Sequence, residues 1–254
     1  IAAIISYFVI PSDIWPIEGW RVALLLTALP AIYAVYIRIK LPDSPQFAVK
    51  EVSKKRSVFQ NIADVWSKEY AKSTFMMWVL WFAVVFSYYG MFLWLPSVMI
   101  GKGFDLISSF KYVLIMTLAQ LPGYFTAAWF IEKFGRKFVL VTYLIGTAAS
   151  ALVFGNAETV GVLLASGMLL SFFNLGAWGA LYAYTPEQYP AVIRGTGAGM
   201  AAAVGRIGGV FGPLLVGSLL GKGYEYGTIF AIFCVAILIG VVAVIFLGKE
   251  TKQT

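Results

Sequence analysis

Arg206 stands in AAAVGRIGGVFGP, residues 201–213, a run otherwise small and apolar with no acid within two helical turns. A guanidinium is planar and grips a carboxylate with two parallel hydrogen bonds, so the chemistry on offer is anion recognition. Other polar or aromatic side chains fall at matching depth in their own apolar runs. Tyr88 and Tyr89 lie midway along one, and Gln120 is central in the next. Asn174, Trp178 and Tyr182 are spaced i, i+4, i+8 and so share one helix face. Buried amides need hydrogen-bond partners, and aromatic faces can stack on a ring. The same aromatics could equally fill a core or form membrane-interface belts. The chain has no histidine and one cysteine, Cys234. Metal sites and triads that need His are therefore excluded, and no nucleophile, base or metal-ligand set sits at mid-membrane depth. No catalytic residue, metal ligand or cofactor is expected. The glycine-rich GTGAGM, 195–200, follows no strand and is not a nucleotide loop.

The elements that position these residues are membrane helices. Of the 254 residues 60% are hydrophobic and 12% charged, about half the charge of a soluble domain. The apolar runs are long enough to cross a hydrocarbon core. They are too continuous for barrel strands, which alternate over about ten residues. The fold class is all-α membrane protein, because a helix satisfies its own backbone in lipid. Residues 1–10 are expected to be the end of a truncated helix, too abrupt for a signal peptide. Residues 20–40 form a span. Residues 41–72 are a polar linker with one or two short amphipathic helices, with Val58, Ile62, Val65 and Trp66 at helical spacing. That linker is a solvated connector or a contact with anionic lipid. Residues 73–247 hold six spans, near 73–99, 106–131, 137–155, 159–184, 195–220 and 226–247, and 248–254 are a tail.

The net charge of +7 reflects membrane topology rather than nucleic-acid binding. Fourteen cations, from Arg38 and Lys40 through the 50–72 stretch to Lys133, Arg136, Lys137, Arg194, Lys249 and Lys252, fall on one side. Arg21, Lys102, Lys111 and Lys222 fall on the other. By the positive-inside rule the rich side, with the C-terminus, is cytoplasmic. Arg206 belongs to neither. It follows Arg194 by twelve residues, roughly 18 Å along a helix and about midway through a core of about 30 Å. A guanidinium there costs about 2.5–3.5 kcal/mol even on the lenient scale, so it must meet an anion or carbonyls. The anion is a ligand carboxylate or an acid on another part of the protein. Gly205 with Gly209, and Gly208 with Gly212, make G-x-x-x-G pairs that allow close helix approach, and Pro213 can loosen the helix. No Asp, Glu or His lies inside a full span, so no carboxylate proton relay is evident.

Four motifs in order resemble the major facilitator superfamily. LPDSPQF, 41–47, is similar to the sugar-porter motif after the sixth helix, departing at Asp43 and Gln46. In 123–137, Gly123, Glu132, Gly135, Arg136 and Lys137 match the superfamily loop signature. PEQYPAVIRGTG, 186–197, resembles the segment after the tenth helix, and GKETK, 248–252, the tail motif without its proline. The seventh helix lacks the sugar porters' QQ pair. SYYGMFLWLP, MTLAQLPGYFTAAW and GRIGG instead resemble the bacterial niacin (nicotinate) transporter group. The resemblance implies the six-helix C-terminal bundle plus helix six and the end of helix five, with an N-terminal half missing. It implies a multi-pass protein of a bacterial plasma membrane moving a small organic anion, nicotinate or a similar aromatic carboxylate, by alternating access. In related carriers an Arg at the place of Arg206 goes with anions. Tyr89 and Tyr182 match sugar-porter ligand positions, and Glu132, Arg136, Glu187 and Arg194 match the cytoplasmic gate. The alternatives are a sugar, polyol or other organic-ion porter of the same superfamily, and a non-transporting membrane sensor or scaffold. The expected partners are the anion, the bilayer and the missing half.

Overall fold

The structure is a computed structural model that describes residues 5, 8, 9, 18–40 and 57–251. Most of the expected truncated helix, the LPDSPQF motif, the cations between Lys50 and Arg56, and Lys252 lie outside the described residues. The chain divides into two units, 1–60 and 61–254.

In the first unit α1 (Gly19–Leu26) and α2 (Leu29–Lys40) run nearly end to end. Together they are long and apolar enough to cross a membrane. The break at Thr27–Ala28 has a local cause. Thr27 Oγ1 donates to Leu24 O at 2.6 Å, and Pro30 opens the next helix without an N–H to bond backward. Glu18 anchors the start, accepting from Trp20 Nε1 at 2.8 Å and pairing with Arg21 at 3.1 Å.

The helix α3 (Val58–Val65) crosses the boundary, and the second unit holds eight more: α4 (Ala71–Phe92), α5 (Leu95–Gly101), α6 (Leu106–Leu118), α7 (Gln120–Phe134), α8 (Arg136–Gly155), α9 (Val160–Glu187), α10 (Arg194–Gly221) and α11 (Tyr226–Leu247). They supply six membrane-length segments, α6 and α7 acting as one. No strand occurs among the described residues, in agreement with the all-α membrane class. Two runs that read as continuous in the sequence are broken. The α4–α5 break at Leu93–Trp94 precedes Pro96, and the α6–α7 break at Ala119 precedes Pro122. Both prolines sit in the first turn of the following helix, where a missing N–H is harmless. Pro213, by contrast, lies inside an unbroken α10.

The six segments pack as an arc. α4 lies against α10 on one side and α11 on the other, α11 against α8, α8 against α9, and α9 against α7. The close approach of α4 and α10 runs over several turns. A Cβ at Gly205 would sit 2.9 Å from Val85 Cγ2, and one at Gly208 2.7 Å from Phe82 O. One at Gly212 would collide with Phe86 O. Backbone thus meets backbone, the arrangement that small residues permit in lipid, where apolar side chains gain little by leaving the tails. Gly123 of α7 lies in the same way on Phe172 O of α9. At the end opposite Arg194, Lys102 donates to Ala157 O at 2.8 Å and lies over the Tyr226 ring at 5.8 Å. Burial pushes its ammonium pKa down, opposed by Glu158.

Gly208→Leu should wedge α4 from α10 and destabilise the bundle by about 1–3 kcal/mol or more. Gly199→Ala, where an added Cβ meets nothing within 4 Å, should be neutral or stabilising. Thermal unfolding of the detergent-purified protein checks this pair, and equal melting of the two variants would refute the seam.

Candidate functional site

The rotation of α10 decides which way Arg206 points. With the glycine face turned to α4, Val204 lines a groove of about 320 Å³ with Phe82 and Ala83 of α4 and Ala236 and Ile239 of α11. Arg206, two residues on, projects about 200° further round the helix, on the flank away from α11. Gly217 lies on that flank eleven residues later, and a Cβ there would sit 3.3 Å from Trp94 Cζ2. Gly209, between the flank and the seam, would bring one within 3.3 Å of Tyr89 Cδ2. Arg206 is exposed on this surface, and among the described residues no hydrogen bond or ion pair engages it.

Across from this flank α4 and α9 build an aromatic cluster. Tyr88 packs edge-on to Tyr89 at 5.3 Å and to Trp178 at 5.4 Å between ring centres, and stacks on Phe92 at 4.8 Å. Trp178 stacks with Tyr182 at 5.7 Å. Both meet the edge of Trp81, at 6.1 and 5.3 Å. Trp81 Nε1 donates to Thr185 Oγ1 at 2.9 Å, and Thr185 donates to Leu181 O. Tyr182 is 57% exposed while Asn174 is buried at 1%. The structure thus gathers Tyr88, Tyr89, Trp178 and Tyr182 in one cluster, with Asn174 a turn away on α9. Gln120, half-buried, opens α7 just after the Ala119 break, and no ring or hydrogen-bond contact joins it to the cluster among the described residues.

Sequence reasoning passed over Trp81 and Tyr124. Trp81 precedes Tyr88 by seven residues and so shares its face, a signal that was there to count. Tyr124 packs over Gly179, one residue past Trp178, a contact no spacing within one helix reveals. Tyr124, Gly179 and Ala183 line a cleft of about 400 Å³ between α7 and α9 that reaches Glu132.

At the Arg194 end the charged residues meet. Arg136 Nε lies 3.2 Å from both Glu187 carboxylate oxygens, and its NH2 group 3.4 Å from Glu132 Oε1. Glu132 is exposed, so its pairing contributes little; Glu187 is 28% exposed against an Arg136 that is 13% exposed, so that pairing is the more buried one. The tail joins this group through Glu250. Its Oε1 accepts from the backbone N–H of Arg136 at 2.9 Å and of Lys137 at 3.3 Å. A carboxylate is thereby seated on the N-terminus of α8, where unpaired N–H groups and the helix dipole favour an anion. Thr251 donates its hydroxyl to Glu187. Tyr184 donates to Lys249 O at 2.8 Å, Gln188 to the same oxygen at 3.3 Å, and Lys137 Nζ to Gly248 O at 2.8 Å. Gly135 joins α7 to α8 at φ 97°, and a Cβ there would lie 2.8 Å from the Glu250 carboxylate. Arg194 stands apart, donating from Nε to Tyr189 O at 3.4 Å. Tyr189 in turn donates to Thr74, and burial pushes its phenol pKa up against that hydrogen bond.

Residues 112–254 match the sequence profile of the Major Facilitator Superfamily. The chain belongs to that superfamily. It is 62% identical over its full length to a Bacillus subtilis (strain 168) protein that carries the provisional name niacin/nicotinamide transporter NiaP. It is 42% identical, over 99% of its length, to the niacin transporter NiaP of Acinetobacter baylyi. The chain spans 62% of the length of each of these relatives. Among solved structures the proton:xylose symporter XylE superposes with a TM-score of 0.76 at 17% identity, over 99% of this chain and 61% of that one. The transporter FucP in its outward conformation gives 0.73 at 16%, over 91% and 54%. These likenesses show the fold: a multi-pass bundle of the superfamily.

Glu250→Ala should leave the Arg136 and Lys137 N–H groups without their acceptor and cost about 1 kcal/mol. Hydrogen exchange of the purified protein should quicken at residues 135–139 and 248–251. Unchanged exchange at both places would show that the tail does not cap α8.

Proposed function

We propose that this chain is the C-terminal bundle, with the preceding helix, of a secondary transporter that moves a small organic anion, nicotinate or a similar aromatic carboxylate, by alternating access. Arg206 carries the reading. A guanidinium at mid-span, exposed on the flank of α10 beside the α4–α5 aromatics and unpaired among the described residues, suits a substrate carboxylate better than a fixed internal ion pair. The names of the two relatives cite niacin, one of them together with nicotinamide, and so support a pyridine-ring substrate, and Tyr88, Tyr89, Trp178 and Tyr182 offer stacking surfaces for its ring. Gln120 and Asn174 add amides at the same depth. A second bundle, the N-terminal half, closes the opposite wall of the cavity.

In this reading Glu132, Arg136, Glu187 and Arg194 lie at the cytoplasmic end with the C-terminus, and their contacts form in the state closed to that side and break in the other. Arg194 stands outside the present network and joins it only on rearrangement. The membrane is a bacterial plasma membrane. The chemistry is translocation without covalent change.

Uptake by cells expressing the complete transporter tests this directly. Nicotinate should be taken up in preference to nicotinamide, because only the acid carries the charge that Arg206 holds. Arg206→Ala should abolish uptake while the protein still reaches the membrane. Arg206→Lys, which keeps the charge and loses the bidentate geometry, should lose about tenfold. Equal uptake of acid and amide, or normal transport by Arg206→Ala, would sink the carboxylate anchor.

A further inference from the structure

Three buried polar atoms on one face of α9 lack a hydrogen-bond partner among the described residues: Ser171 Oγ, Asn174 Oδ1 and Trp178 Nε1. Spacings of three and four place them in one column. Several other buried hydroxyls of the bundle solve the same problem locally. Ser87, Thr147, Ser166 and Thr185 each donate to a carbonyl one turn back in their own helix. An indole has no such route, since its rigid N–H cannot reach the preceding turn and it is a donor only. Trp81, beside it in the cluster, donates to Thr185. Trp178 is left with rings around it, Trp81 and Tyr88 edge-on and Tyr182 stacked. Nε1 is buried with no acceptor in reach, so the orphan calls for a reason.

We propose that Trp178 reads the ring nitrogen of the substrate. Its indole N–H donates to the unprotonated nitrogen of a six-membered heteroaromatic acid whose carboxylate is held by Arg206. Of the unpaired atoms, Asn174 Oδ1 only accepts and repels that lone pair, and the Ser171 hydroxyl lies about two turns back along α9; Trp178 Nε1 is the unpaired donor beside the exposed Tyr182. The ring stacks against the exposed Tyr182. In the present arrangement Nε1 is buried, and Tyr88 and Trp81 pack at steep angles to the indole. α4 and α9 meet here through ring edges, not through backbone contact as α4 and α10 do. A rotamer change of Tyr88 therefore uncovers the donor without parting the helices. This specificity role rests on the carboxylate-anchor reading and goes beyond it, since an anchor alone accepts any aromatic acid of the right size.

The test is competition against labelled nicotinate uptake in cells making the complete transporter. Benzoate keeps ring and carboxylate and replaces the ring nitrogen with C–H. On the wild type it should compete about tenfold more weakly than unlabelled nicotinate, or worse, because it leaves the donor unpaired. In Trp178→Phe, which keeps an aromatic ring and removes the donor, the ratio should fall towards one. Equal competition on the wild type, or an unchanged ratio in Trp178→Phe, overturns the proposal. Should that variant fail to reach the membrane, the wild type decides with isonicotinate, which moves the nitrogen one ring position. Isonicotinate competing as well as nicotinate overturns it, and isonicotinate as weak as benzoate supports it. Arg206→Ala in the same cells separates the two readings. Lost uptake there with an unchanged ratio in Trp178→Phe removes the nitrogen reader and leaves the anchor, whereas retained uptake removes the anchor beneath it.

Discussion

Backbone contact between α4 and α10 sets the geometry of everything else in the bundle. Lipid gives no hydrophobic reward for joining two apolar helices, so association depends on how closely they pack. Gly208 and Gly212 lie on the carbonyls of Phe82 and Phe86, which fixes not only the distance but the rotation of α10. That rotation turns Val204 to the α11 side and Arg206 to the other. A helix turned by one residue would send the guanidinium into the seam or out to the tails. The glycines and the arginine are therefore one design: the first group has no side chain so that the second can be aimed.

The cluster on the α4–α9 side follows a different logic. Here contacts run through rings set edge to face, a geometry favoured by the aromatic quadrupole. Ring edges yield where backbone contacts do not. The bundle thus has a stiff seam along α4–α10 and a compliant one along α4–α9, and the proposed ring-binding aromatics lie beside the compliant one.

The fold class was legible because membrane helices declare themselves by run length and charge placement, and the superfamily by four motifs. The glycine pairs were legible too, since G-x-x-x-G spacing has one dominant use in lipid. The breaks at Leu93–Trp94 and Ala119 were not, because a proline in the first turn of a helix leaves hydropathy unchanged while it ends the helix before it. Tyr124 over Gly179 and Glu250 on α8 were hidden for another reason. Each joins elements far apart in sequence, and no local pattern records the meeting. Trp81 is the exception: its seven-residue spacing from Tyr88 was visible, and the abundance of aromatics, 17% of the chain, masked it.

Gly135 serves two requirements at once. Its φ of 97° makes the α7–α8 corner, and its missing Cβ leaves room for the carboxylate of Glu250, which arrives from 115 residues downstream. The corner and the tail are consequently a single inherited unit. A chimera that took its last helix from a distant relative would keep the corner's shape but receive a foreign carboxylate, or none, over α8. Exchanges between such transporters should therefore be tolerated where the crossover keeps both pieces from one parent, and recombination between them should be the costly place to cut.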